Sequence, residues 1–293
     1  MKFGYFCNTT NWTHKPYHKL LDETKQITEY CDQNYWNSIW FTEHHFNHEG
    51  MESCTNPLML GADAAARTKN IRIGQAANVI TFHNPIRLAE DIATLDQLSK
   101  GRVEVGVARG VYGREAINLN KEADLKDQAK NFRLFAETLE ILKKAWSEKF
   151  FNHDGEFYTY PSPNYVWQHD MSPPSEEFMN MADSTMKKIS VLPKPYQNPH
   201  PPIHQVVDGI RSIEWAAENN INVIMWIPTV KALKIRFEAY KNKRSEVTKK
   251  NVPLGEGVTL VRDMFVADTM EEATEKAGQH MVNYMKWVCH WRG

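Results

Sequence analysis

The chain has little cysteine and no surplus of either charge. Its four cysteines, Cys7, Cys31, Cys54 and Cys289, form no Cys-x-x-Cys pair. That excludes a disulfide framework and fits free thiols in a reducing cytoplasm. Lysine and arginine number 35 against 36 aspartate and glutamate, so nothing draws the chain to nucleic acid or an anionic membrane, and a small ligand is the better partner. No apolar run is long enough to span a bilayer. Met1-Lys2-Phe3-Gly4 leads straight into a strand without the apolar core of a secretory leader. A Gly-x-Ser-x-Gly elbow and a P-loop are lacking, which weakens hydrolase and kinase readings. Gly106-Val107-Ala108-Arg109-Gly110-Val111-Tyr112-Gly113 departs from dinucleotide-binding spacing.

What the chain does have is a regular alternation of strand and helix. Lys2–Cys7, Ser38–Phe41, Ile71–Ala77 and Arg102–Ala108 read as strands, each short, apolar and bounded by polar or turn residues. Between them, helical spacing of apolar residues runs through Leu20–Cys31, Pro57–Arg67 and Leu88–Leu95, with Asn84-Pro85 as a start and Ser99-Lys100-Gly101 as a stop. A polar loop follows the fourth strand, then a stripe from Phe132 to Trp146. After residue 202 the alternation resumes: strand Ile203–Val207, helix Arg211–Glu218, strand Asn222–Ile227, helix Val230–Arg244, strand Gly257–Ala267 and a final helical stripe from Met270 to Val288.

Seven β-then-α units in one direction predict parallel strands with right-handed crossovers, hence an α/β fold whose closed form is a TIM-type (β/α)8 barrel in a single domain, residues 1–293. The last β/α unit is missing from that count. Nine of the 14 prolines fall between Pro161 and Pro202. Residues 151–202 are therefore an insertion before strand five, read as a lid or pocket wall because of their aromatic residues. A doubly wound open sheet is the alternative architecture.

A parallel barrel gathers function at the carboxyl ends of its strands. Strand two empties into Glu43-His44-His45, strand three into Ala76-Ala77, strand four into Arg109-Gly110, strand five into Asp208-Gly209 and strand six into Trp226. Arg109 offers a planar cationic fork, and Gly209 to Ser212 open a helix whose free N–H groups attract anions; together they describe a phosphate seat. The competing reading pairs Arg109 with a carboxylate and makes Ser212 a helix cap. Small Ala76 and Ala77 leave room for a flat ring or simply pack the barrel, and Trp226 either walls such a ring or fills the barrel top. His44, His45 and His48 resemble metal-ligand spacing, but no further ligand cluster accompanies them, so no metal is expected. A histidine of near-neutral pKa suits proton transfer or an oxyanion. Cys54 reads as a structural thiol.

Several of these stretches resemble the bacterial luciferase-like flavin monooxygenases: Met1-Lys2-Phe3-Gly4, Trp40-Phe41-Thr42-Glu43-His44-His45-Phe46, Asn84 to Asp91, Leu95 to Arg102 and Gly106 to Gly110. The resemblance is dense to about residue 113 and returns at Pro201 to Ala217. It implies a (β/α)8 barrel and a cytoplasmic enzyme, a homodimer, that takes reduced FMN from a separate flavin reductase and uses O2. A flavin C4a-peroxide then oxygenates a small apolar or carbonyl substrate. By match to the motifs, His44 is the acid/base group supported by Glu43 and His45, and Ala76-Ala77 is a non-prolyl cis peptide under the flavin. Arg109, Gly209 and Ser212 hold the FMN phosphate, with Asp208 and Trp226 beside the cofactor. Ala108 stands where light-emitting luciferases carry cysteine, so bioluminescence is not expected. Two alternatives stay open: a deazaflavin-dependent oxidoreductase on the related barrel, and a flavin-binding protein without turnover.

Overall fold

A computed structural model describes residues 1–226 and 229–292, with side chains to residue 288. Seven parallel strands curl into a nearly closed barrel: β1 (Gly4–Cys7), β2 (Ser38–Phe41), β3 (Arg72–Gln75), β4 (Val103–Ala108), β5 (Ile203–Val206), β6 (Asn222–Trp226) and β7 (Val258–Val261). Each pairs with the next in chain order. Among the described residues β1 and β7 do not pair, and this seam lies where an eighth strand would stand. Around the strands run α1 (Tyr17–Gln33), α2 (Pro57–Arg67), α3 (Pro85–Ser99), α4 (Gly113–Leu119), α5 (Gln128–Ser147), α6 (Ile210–Glu218), α7 (Val230–Thr248) and α8 (Met270–Arg292).

Strand alternation divides the apolar residues between two cores. In β2, Ile39 and Phe41 face the helix layer, while Trp40 points into the barrel with Phe6, Ala76, Val206, Ile224, Trp226 and Val261. A strand buried on both faces reads as a continuous apolar run, as Ser38–Phe41 does. Gly74 makes room for that indole, since a Cβ there would lie 2.2 Å from the Trp40 ring.

Helix ends follow the expected punctuation. Asn84 caps α3 by accepting from the amides of Ile86 and Arg87, and the helix stops at Lys100 and Gly101, both at positive φ. Arg102 then reaches back to the carboxyl end of α2, donating to the carbonyls of Ala65 at 2.9 Å and Thr68 at 3.1 Å and to that of Ile71 at 3.0 Å. The Leu-Ser-Lys-Gly-Arg run is thus a clasp between α2 and β4.

The structure corrects several boundaries. Strand three does not reach Ala77: its pairing stops at Gln75, the Ala76–Ala77 peptide is cis, and Asn78–Val79 re-pair one step over with Val107 and Ala108. The polar loop after strand four contains α4, a helix too short for a periodic signal, whose buried face includes the charged Glu115. Strand seven ends at Val261 and not at Ala267; with no neighbour on its outer side among the described residues, the chain leaves Met264 and Val266 about 80% exposed. The end of strand six at Ile227 and the side chain of Cys289 lie outside the described residues; Cys7, Cys31 and Cys54 are free and buried.

The proline-rich excursion divides into two arms. Its first arm, from Phe151 to Tyr160, climbs beside α5 as a small hairpin. Glu137 accepts the amide hydrogens of Glu156, Phe157 and Tyr158, and Tyr160 reaches Asn84 at the start of α3. The returning arm packs at the other end of the barrel, where Lys194 donates to the carbonyls of Ala145 and Glu148 and Gln197 bonds Asp96 and the carbonyl of Val103.

Candidate active site

Because all seven strands are parallel, their carboxyl ends open on one rim. Glu43, two residues past β2, is almost fully buried there. Its Oε1 lies 2.8 Å from His83 Nε2 and 3.1 Å from His45 Nε2, and its Oε2 accepts the Val79 amide at 2.7 Å. Burial by itself raises the pKa of this carboxyl. The hydrogen bonds from His45 and His83 and the amide of Val79 outweigh burial and hold it at about 2. Glu43 is therefore a permanent anion tying the histidine loop to the segment after the cis peptide.

His44 points elsewhere. Its backbone N–H donates to the carbonyl of Cys54 at 2.8 Å, which gives that buried cysteine a structural place; burial pushes the thiol pKa up. The His44 ring sits between two buried carboxylates, with Nε2 3.5 Å from Glu52 and Nδ1 3.5 Å from Glu115. Burial lowers its pKa, but the charges of Glu52 and Glu115 win and leave it above the ordinary histidine value. Glu115 is fixed by the His45 amide at 2.6 Å, and Glu52 by the Tyr112 hydroxyl at 2.6 Å. His48, by contrast, is exposed.

The next strand ends supply a platform of small residues. Ala77 is buried, Ala76 joins the barrel-interior cluster, and a Cβ on Gly106 would lie 1.6 Å from the carbonyl oxygen of Gln75. Only glycine lets the backbone before Ala76 come so near β4. Beyond β4, Arg109 makes no ion pair among the described residues. Its guanidinium lies 5.7 Å above the Phe132 ring and 3.5 Å from the carbonyl of Gln128, and burial lowers its pKa. Phe132 in turn meets Trp215 of α6 edge-on at 5.4 Å, one turn beyond Ser212. The cation and α6 thus border the same aromatic pair. Gly209 opens α6, and a methyl added at its Cα would meet nothing within 4 Å among the described residues. Asp208 is exposed and pairs with Arg236 at 3.0 Å.

Trp226, at the end of β6, packs between Phe6 and Tyr284 at 6.3 and 5.9 Å. Tyr284 belongs to α8, which crosses the rim: its hydroxyl meets Asn8 at 3.1 Å and Glu52 at 3.3 Å, and Trp287 lies 5.8 Å from Tyr112.

The family described as luciferase-like monooxygenase matches residues 1–291. The chain belongs to this family. The oxygenase component of flavin-dependent trigonelline monooxygenase from Acinetobacter baylyi is 27% identical over 290 residues, 97% of this chain and 70% of that one. An alkanal monooxygenase alpha chain from Photorhabdus luminescens is 27% identical over 253 residues, 84% of this chain but only 59% of the relative. The oxygenating constituent of 3,6-diketocamphane monooxygenase from Pseudomonas putida, solved in complex with FMN, superposes with a TM-score of 0.78 at 22% identity, covering 97% of this chain and 73% of that one. The last likeness shows the shared barrel.

Within this family fold, the rim carries several residues that reading by motif did not single out: His83, Glu52, Glu115, Tyr112 and Asn8. His83 lies in the Thr81-Phe82-His83-Asn84-Pro85 run beside a helix start, where its neighbours explain themselves as capping. Glu52 and Glu115 are lone acids, and nothing in their spacing sets them apart from solvated charges.

Proposed function

We propose that this chain is the oxygenase component of a two-component, FMN-dependent monooxygenase acting on a small apolar or carbonyl substrate. The observation that carries this reading is Arg109: a half-buried guanidinium with no carboxylate partner among the described residues, set over the Phe132 ring that in turn meets Trp215 of α6, just beyond the strand whose Gly106 makes room for the Gln75 carbonyl. Such an uncommitted cation suits a phosphate, and the small residues suit a flat ring. Arg109, Gly209 and Ser212 would hold the phosphate of FMN, while Ala76, Ala77 and Trp226 would border its rings; the reduced flavin supplies the electrons that activate O2. Asp208, neutralised by Arg236, would leave that seat cationic.

In this reading His44 holds or gives a proton at Nε2 near the reacting atoms, and Glu43 fixes His45 and the loop without exchanging protons itself. Tyr158 and Tyr160, stacked at 6.1 Å, would make the first arm of the excursion a wall of the mouth. The returning arm, packed at the opposite end, would brace it. A flavin reductase as electron source, a homodimer and a cytoplasmic setting belong to the same reading. No described helix is long and apolar enough to cross a membrane.

The test is to mix protein loaded with reduced FMN with oxygenated buffer and measure hydrogen peroxide and product. Peroxide release slower than from free reduced FMN, and replaced by oxygenated product when aldehydes or cyclic ketones are supplied, supports the reading. Immediate stoichiometric peroxide with every substrate tried overturns it in favour of flavin binding alone. Anaerobic turnover with a reduced deazaflavin but none with reduced FMN would select the dehydrogenase class.

A further inference from the structure

One charged group at the rim has no part in the reading above. Glu52 lies outside the Glu43-His44-His45 motif, in the loop that follows it, and is almost fully buried. Four groups from four parts of the chain converge on its carboxylate. Tyr112, preceding α4, donates to Oε2 at 2.6 Å, and His44 Nε2 faces the same oxygen at 3.5 Å. Asn8, following β1, approaches Oε1 at 3.4 Å, and the Tyr284 hydroxyl of α8 at 3.3 Å. A buried carboxylate so provided with donors is satisfied where it stands, and its Oε2 also faces the imidazole.

We propose that Glu52 is a positioning residue for His44, fixing the ring's orientation and its proton on Nε2 through a charge pair that Tyr112 holds in place. The proposal rests on the reading of His44 as the acid/base group of a flavin site. The geometry explains why two carboxylates flank one ring. Glu115 faces His44 Nδ1 at 3.5 Å and also accepts the His45 amide, so it holds the loop and the inner edge of the ring together. Glu52, held by side chains alone, faces the nitrogen at the mouth. Glu43, the neighbouring His45 and the Tyr112 ring, 5.3 Å from the imidazole, are the other titratable groups near His44 among the described residues.

The test needs no flavin, so its failure is separable from failure of the functional reading. In protein labelled at histidine, the His44 ring resonance is assigned by its loss in His44→Asn and titrated in the wild type, Glu52→Gln, Glu52→Asp and Tyr112→Phe. Glu52→Gln is expected to weaken proton binding at His44 about tenfold or more, with Glu52→Asp recovering most of it. FMN affinity, measured by fluorescence quenching, should change by less than about threefold, since the partners of Glu52 are Asn8, His44, Tyr112 and Tyr284 and none belongs to the proposed phosphate seat. Should Glu52→Gln fail to fold, Tyr112→Phe decides. Without that hydroxyl Glu52 is free to turn from the ring, so proton binding at His44 is expected to weaken about threefold or more. An unchanged or strengthened titration in Glu52→Gln, or in Tyr112→Phe where Glu52→Gln does not fold, overturns the proposal.

Discussion

His83 donates to Glu43 at 2.8 Å across 40 positions of the chain. The pair fixes a pH window for stability. The Glu43 pKa is depressed in the fold to about 2 from an ordinary 4.5, so its contribution is complete above 4.5 and is lost as pH falls toward 2. Burial lowers the His83 pKa, but the Glu43 hydrogen bond and charge raise it above 6.5, so its contribution is complete below 6.5 and is lost as pH rises past the folded value. The two overlap between 4.5 and 6.5. Glu43→Gln is expected to cost about 3 kcal/mol in urea unfolding within that window, and the deficit should shrink in strong acid. A deficit that stays constant to pH 2 would show that charge plays no part.

Gly106→Ala should be among the most damaging single-methyl additions in the chain. The new methyl would press on the carbonyl of Gln75, which the barrel wall holds from behind. A loss of about 3 kcal/mol is expected. Gly113→Ala, at a helix start with nothing within 4 Å, is the control and should be neutral or slightly stabilising. Thermal unfolding of both variants checks the contrast.

For Arg109 the expectation separates phosphate from ring. Arg109→Ala should weaken FMN binding about 10- to 100-fold while leaving riboflavin binding unchanged, because only FMN carries the phosphate. Equal losses for both ligands would assign the residue to the platform instead.

Arg102→Met keeps a long apolar stem but removes donors from the carbonyls of Ala65, Thr68 and Ile71. Leaving those oxygens to solvent at a helix end is expected to cost about 2 kcal/mol, read from the urea midpoint at unchanged slope.

The barrel was legible in the sequence because each strand is a short apolar run and each helix start or stop carries its own residue, as Asn84 and Lys100-Gly101 show. Where a neighbour decides, the sequence says less. Strand three looked longer because Ala76 and Ala77 are apolar, yet their place depends on the close approach of Gly106. The Glu43-His44-His45 motif announced a site, but not that the two imidazoles point to different carboxylates. Glu52, Glu115 and His83 could not be found from spacing, since each becomes a site residue only by burial against segments distant in the chain. The break in alternation at Phe151 was visible; the division of that excursion between two ends of the barrel was not.

Tyr284 and Trp287 stand three residues apart on one helix, and both rest on the rim, one against Asn8, Glu52 and Trp226 and the other against Tyr112. Residues so spaced share a helix face and travel together. Asn8, Glu52, Trp226 and Tyr112 therefore keep or lose their cover as a set, since any displacement of that helix carries both rings with it.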